Sequence, residues 1–231
     1  MSFVFPPKAP AAVPVFNSAD QFPVHRIYCV GRNYVEHAKE MGFTGREAPF
    51  FFQKPADSIL PVPYGATGEM PYPPMTSDLH HEIELVVAIG KAGRNIAAAD
   101  AQQHIWGYAV GLDMTRRDLQ GEAKKLGRPW DTGKAFDLSA PIAPLHPVTQ
   151  TGPLNQGGIT LKVNGEMRQN SDVDKLIWNV AETIEHLSKY FELQPGDLIY
   201  TGTPEGVAAV KQGDLLEGAI AGLGELKVRI V

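Results

Sequence analysis

Glu82-Ile83-Glu84-Leu85-Val86-Val87-Ala88-Ile89 is rich in branched residues and stops at Gly90, the pattern of a β-strand. Side chains alternate along a strand, so Glu82 and Glu84 share one face, while Ile83, Leu85, Val87 and Ile89 form the opposite, buried one. Two carboxylates on one face repel unless a cation joins them or one is protonated. A second predicted strand, 105–112, delivers Asp113 at its end as a third oxygen ligand. Three oxygens and no sulfur suit a hard cation such as Mg²⁺ or Mn²⁺ rather than structural zinc. The spacing also allows a simpler reading, a solvated strand face with exposed glutamates.

Outward from this strand the chain is uneven. Twelve of its 19 prolines precede Met75, none lies between Met75 and Arg128, and seven follow. Residues 1–24 are proline-rich and aperiodic and read as an extended arm before a single domain over 25–231. Ile27–Val30 reads as a strand. A short helix follows, opened by Asn33 with Glu36 as a capping box and closed near Gly42. Residues 43–80 read as a long loop region and a cover over the metal. Ala97–His104 fits a short helix. Asn164-Gly165 between 161–163 and 166–168 signals a type I′ hairpin. Leu176, Val180, Ile184, Leu187 and Phe191 share one face of a helix spanning 172–191. Short strands around 198–201, 214–217 and 226–231 complete an α+β, mostly β, chain with a few rim helices.

Composition removes several function classes. The 231 residues carry a formal net charge of −5, so no broadly basic nucleic-acid surface is expected. No apolar run approaches the ~18 residues of a membrane span. The first residues lack a charged region followed by an apolar one, so no secretory signal is read there. A lone cysteine, Cys29, excludes an intrachain disulfide, fits a cytoplasmic location and reads as a buried, inert thiol.

Three further groups could carry chemistry. His37 and Glu40 fall at i and i+3 of the capped helix, where a carboxylate beside an imidazole would activate water; a surface pair is the other reading. Lys134, in Gly133-Lys-Ala-Phe136, is either a surface charge or a clamp for an anionic substrate group. Tyr200-Thr-Gly-Thr-Pro-Glu-Gly206 follows a strand and either holds a carboxylate or forms a plain tight turn. Other motifs fail. His81-Glu82 lacks the second histidine of a zinc motif, because Leu85 stands there. Gly133-Lys134 has Arg128 in place of the first P-loop glycine, and no G-x-S-x-G or G-x-G-x-x-G occurs.

Taken together, these pieces resemble the fumarylacetoacetate hydrolase family. The matching segments are Cys29-Val-Gly-Arg-Asn-Tyr34, His37 with Glu40, Phe51-Phe-Gln-Lys-Pro55 and His80-His-Glu-Ile-Glu-Leu85. They continue through Gly111-Leu-Asp-Met-Thr115, Gly133–Phe136, Leu161-Lys-Val-Asn-Gly165 and Pro195–Pro204, in the family's order over about 25–231.

The resemblance implies a mixed β-roll, a homodimer and a divalent metal, Mg²⁺ or Mn²⁺. It assigns the metal to Glu82, Glu84 and Asp113, a water-activating dyad to His37 and Glu40, and a substrate clamp to Lys134. Arg117, Gln120 and Thr203 would hold the pyruvate end of a substrate. Segments 47–52, 115–118 and 127–130 are similar to members that cleave fumarylpyruvate to fumarate and pyruvate in gentisate-type aromatic degradation. Such a substrate needs a cation for its distal carboxylate, for which Arg116 and Arg46 are the sequence candidates. A general acylpyruvase, an oxaloacetate decarboxylase and a meta-cleavage isomerase or decarboxylase share the same enolate-stabilising metal. A non-catalytic binding module with a structural metal is the reading from another class. Gln53 departs from the small or apolar residue expected beside Lys54.

Overall fold

A computed structural model of the chain describes residues 2–36 and 46–231. His37 and Glu40 therefore lie outside the described residues, as does most of the helix expected after Asn33. The architecture is α+β and mostly β. Its centre is a mixed eight-stranded sheet. In spatial order the strands are Phe50–Lys54, Ile27–Gly31, Leu198–Tyr200, Ile83–Ile89, Ile105–Leu112, Ala140–Ile142 and Ile59–Pro61, with His146–Pro147 also pairing to Ile105–Leu112. A five-stranded sheet contains the Gly158–Val163 and Glu166–Asp172 hairpin, whose turn has φ of 52° at Asn164 and 81° at Gly165. Positive φ at both positions is the type I′ geometry that the Asn-Gly pair predicts.

The strand Ile83–Ile89 sits between Leu198–Tyr200 and Ile105–Leu112, and all seven of its residues are buried. Its odd positions pack into the larger core with Leu161, Ile184, Leu216 and Val228. Its even positions, Val86 and Ala88, pack into a second core on the other face. The alternation is as expected, but neither face is solvated. A strand buried on both sides is typical of a central position in a covered sheet.

The second core depends on the N-terminal residues. Ala12–Pro14 and Gln21–Pro23 form a hairpin, and Val13, Val15, Phe22 and Val24 are buried against Ile27, Cys29, Val86 and Leu198. Residues 12–24 are thus not an extended arm. Their valines and phenylalanine alternate over too short a span to register as a strand. Cys29 is fully buried there, and burial pushes its thiol pKa well up, which keeps it inert.

Two other expectations are corrected. Residues 46–80 do not form a cover as a whole, because they supply strands to all three larger sheets: Phe50–Lys54, Ile59–Pro61, Thr67–Met70 and Leu79–His80. Prolines at strand ends and edges do not prevent this. The helix expected over 172–191 is shorter, Val180–Tyr190. Leu176 bridges to Tyr34 and the Ile177 amide donates to the Asn33 carbonyl, so tertiary bonds hold that stretch extended. The helix starts at a capping box in which the Glu182 amide donates to the Asn179 side chain and the Asn179 amide to that of Glu182. The short helix expected at 97–104 is present as the 3₁₀ helix Ala98–His104.

Candidate active site

Adjacent antiparallel strands bring the three acids together. Glu84 pairs with Gly111, and the Asp113 amide donates to the Glu82 carbonyl at 2.9 Å. Asp113 thus leaves its strand opposite the point where Glu82 and Glu84 enter theirs. One carboxylate oxygen from each lies within 4.8 Å of the other two, and all three residues are buried. The exposed-glutamate reading does not describe this site.

Two lysines and an arginine surround the acids. Lys134 Nζ donates to Glu82 Oε2 at 2.8 Å, Asp113 Oδ2 at 2.7 Å and Thr115 Oγ1 at 2.7 Å. Lys54 Nζ lies 2.8 Å from Asp113 Oδ1 and donates to the Met114 carbonyl at 3.2 Å. Arg117 pairs with Glu82 and donates to Gln120 Oε1 at 2.6 Å. Burial alone would lower the Lys134 pKa, but the charges of Asp113 and Glu82 outweigh it and raise it, so Lys134 is a fixed cation. The surface reading of Lys134 is excluded, since only 2% of the residue is exposed.

Glu84 differs from its neighbours. Among the described residues no ion pair reaches it, and its Oε2 accepts the Gly202 amide at 2.8 Å. Burial, then the Asp113 and Glu82 charges, push its pKa well above the ordinary carboxylate value. Asp113 Oδ1 is buried with no aligned hydrogen bond among the described residues, although Lys54 is close. Three buried carboxylates gathered at one point, one of them (Glu84) without a cationic partner among the described residues, fit a divalent cation. The all-oxygen donor set fits a hard one.

Backbone geometry fixes the far wall. Gly202 has φ of +101°, and a Cβ there would meet Asn33 Cβ at 2.7 Å. Glycine is therefore required both by the conformation and by the close approach. Asn33, fully buried, donates through Nδ2 to the carbonyls of Thr201 and Trp178, at 2.8 and 2.9 Å. The stretch after the strand Leu198–Tyr200 thus presents an amide to a carboxylate, and here the carboxylate is Glu84.

The acids, Lys134, Arg117, Gln120 and Thr203 line one chamber of about 30 Å³. That is room for an ion or a water, not for a substrate. Arg32, Phe52, Trp130 and Lys134 are shared with an adjoining cavity of about 480 Å³. Of the residues that the family resemblance implies, seven therefore converge. Arg116 and Arg46 do not join them. Arg116 lies 4.4 Å over the Phe136 ring and lines a separate cavity with Tyr72 and Pro73. Arg46 stacks on Trp178 at 4.1 Å and pairs with Glu182. Adjacency to Arg117 in sequence says nothing about side-chain direction. Arg116 ends a two-residue strand while Arg117 starts a helix.

Sequence reasoning missed several contributors. Lys54, 2% exposed, ends the strand Phe50–Lys54; three phenylalanines before a lysine were the available signal. The helix Arg117–Leu126 was missed because it buries Gln120 and Ala123 rather than an apolar stripe. Asp118 in its first turn accepts from Thr76 Oγ1 at 2.6 Å and the Ser77 amide at 3.0 Å, and the Arg117 amide donates to the Asp78 carbonyl at 2.8 Å, so a distant loop holds the start of the helix. Gly133 packs where a Cβ would meet the Gln120 backbone nitrogen at 2.9 Å, which seats Lys134 against this helix.

Gln169 was missed too. It is fully buried in the five-stranded sheet, and its amide spans two parts of the site. Its Oε1 accepts the Ile83 amide at 3.2 Å and contacts His81 Nδ1 at 2.9 Å. Its Nε2 donates to Thr203 Oγ1 and the Pro204 carbonyl, both at 2.8 Å. Burial lowers the His81 pKa to about 4, so this imidazole is neutral and donates to Gln169. Gln169→Leu should cost about 1–3 kcal/mol by stranding these groups. A thermal melt checks this, with a Tm drop of roughly 2–12 °C expected for a chain this size. An unchanged Tm would show that the amide holds nothing.

The sequence model described as Fumarylacetoacetate (FAA) hydrolase C-terminal matches residues 26–231. A fumarylpyruvate hydrolase from Ralstonia sp is 50% identical over 184 residues, covering 80% of this chain and 93% of the relative. A mitochondrial oxaloacetate decarboxylase from Dictyostelium discoideum is 40% identical over 198 residues, covering 86% and 89%. The crystal structure of fumarylpyruvate hydrolase from Pseudomonas aeruginosa, in complex with Mn²⁺ and pyruvate, superposes with a TM-score of 0.98. It is 58% identical, with 100% of this chain and 99% of that one covered. With the match spanning nearly the whole chain, this protein belongs to the fumarylacetoacetate hydrolase family.

Proposed function

We propose that this protein is a metal-dependent hydrolase that cleaves the carbon–carbon bond of a 2,4-diketo acid, with fumarylpyruvate yielding fumarate and pyruvate. The observation that carries the reading is the buried Glu82–Glu84–Asp113 cluster with Lys134 and Arg117 against it, opening onto a cavity large enough for an acyl chain. The similarity to fumarylpyruvate hydrolases at 50% and 58% identity supports the choice of substrate.

Glu82, Glu84 and Asp113 would hold the ion, Mg²⁺ or Mn²⁺. When bound, it supplies Lewis-acid stabilisation of negative charge developing on the pyruvyl half. Lys134 offers a second, fixed positive charge for the same half, and Arg117, Gln120 and Thr203 orient its carboxylate. The His37–Glu40 pair takes a proton from water, which attacks the acyl carbonyl carbon. The bond between that carbon and the pyruvyl methylene breaks. Its electron pair passes to the pyruvyl half as an enolate, which is protonated to pyruvate, while the acyl half leaves as fumarate. One water is consumed and no redox change occurs.

A single catalytic domain, made of 25–231 with the hairpin of 12–24 packed onto it, a homodimer, a cytoplasmic setting and a role in aromatic degradation are parts of the same proposal. The oxaloacetate decarboxylase relative supports a second reading on oxaloacetate. Steady-state rates with fumarylpyruvate, acetylpyruvate and oxaloacetate, with products identified by chromatography, decide between them. The proposal expects the highest kcat/KM on fumarylpyruvate and equal amounts of fumarate and pyruvate. Turnover of oxaloacetate alone would overturn it.

A further inference from the structure

The 480 Å³ cavity beyond the acid cluster has a consistent chemistry. Its walls are aromatic. Trp130 meets Phe50 and Phe52 at ring-centroid distances of 5.4 and 5.6 Å, and the slot leads to Lys134. Such walls suit a flat, conjugated acyl chain better than a bulky one. At the cavity's rim stand two guanidinium groups, Arg32 and Arg128, against the single carboxylate of Asp131. The face is therefore net positive even before Lys134 is counted.

Both arginines are presented by constrained backbone. Arg32 has φ of +57°, a left-handed conformation uncommon for a residue with a side chain, and its guanidinium lies 5.1 Å over the Phe50 ring. Arg128 follows the left-handed cap Gly127, at φ of +63°. Its amide donates to the Ala123 carbonyl at 2.8 Å, and Pro129 follows, so its Cα is fixed. The Arg128 side chain itself is 65% exposed and makes only a loose 3.6 Å pair with the exposed Glu122. Exchanging so weak a pair for a ligand carboxylate costs little. Arg32 is half-buried and Arg128 exposed, so Arg128 is the freer of the two to reach a ligand.

From this geometry we infer that Arg128, assisted by Arg32, forms a subsite for a second carboxylate at the far end of the acyl chain. It makes the enzyme selective for acylpyruvates whose acyl group is a flat dicarboxylic half. The inference rests on the acylpyruvate reading above and names the part of the substrate that reading leaves open. It places distal recognition on the helix C-cap and the Phe50 edge of the sheet, rather than on Arg116 or Arg46.

The test compares wild type, Arg128→Leu and Arg32→Met on fumarylpyruvate and on acetylpyruvate, which lacks the distal carboxylate. Loss of a charge-assisted contact should lower the fumarylpyruvate-to-acetylpyruvate ratio of kcat/KM by about 10- to 100-fold in Arg128→Leu. The loss should fall mainly in KM, as expected for uniform binding. Fumarate should lose potency as an inhibitor of Arg128→Leu, while crotonate, with a methyl in place of that carboxylate, should not. A ratio unchanged within twofold in both variants, or equal losses on both substrates, would overturn the subsite and leave the acylpyruvate reading standing. Failure of wild type to cleave either substrate would overturn that reading, and the subsite with it.

Discussion

Glu84→Gln is expected to weaken Mn²⁺ binding and to lower kcat on fumarylpyruvate by on the order of 10²–10³-fold, the scale for removing one preorganised charge-stabilising group. The choice of residue matters. Glu84 has no ion pair among the described residues, and a glutamine oxygen can still accept the Gly202 amide. The substitution removes one negative charge and strands no buried cation. Asp113→Asn would instead leave Lys54 and Lys134 facing a neutral amide, and breaking a buried pair costs about 3–5 kcal/mol. Its activity loss would mix folding with chemistry. Calorimetric titration with Mn²⁺ and a circular-dichroism melt separate the two. Undiminished affinity in a folded Glu84→Gln protein would remove Glu84 from the ligand set. Because burial and the neighbouring carboxylates raise the Glu84 pKa, and a cation binds the carboxylate form, Mn²⁺ affinity in wild type should also rise with pH.

His37→Ala should lower kcat by about 10²–10⁴-fold while leaving Mn²⁺ binding intact, as for loss of a general base. The support is positional. Val30, Gly31 and Arg32 line the acid chamber, and Asn33 is tied to the Thr201 and Trp178 carbonyls beside it. The chain thus leaves the chamber wall only a few residues before His37. Glu40→Gln should show a smaller loss with a shifted pH profile, since it tunes the imidazole rather than replacing it. An unaltered rate in His37→Ala would show that another group activates the water.

What the sequence made legible follows from how each element is stabilised. The strands 83–89 and 105–112 were readable because branched residues fill them and a glycine or a charged residue ends them. Their register then placed Glu82, Glu84 and Asp113 together. The Asn164-Gly165 turn was readable because its chemistry is local. The helix Arg117–Leu126 was not, since its first turn is held by the distant loop of Thr76, Ser77 and Asp78 and its buried face includes a glutamine. Lys54 and Gln169 were invisible for the same reason. Each is a polar residue on a strand whose partners lie far away in the chain. The N-terminal hairpin was misjudged because proline density outweighed three valines and a phenylalanine that cover the back of the central strand.

The central claim is that the three carboxylates hold the ion on which cleavage depends. Its most direct test is anomalous diffraction at the manganese edge from crystals soaked in Mn²⁺, paired with turnover of the same preparation before and after chelation. The account predicts one peak at coordinating distance from Glu82, Glu84 and Asp113, activity lost on chelation, and activity restored by Mn²⁺. A peak elsewhere, or full turnover by the chelated protein, would contradict it.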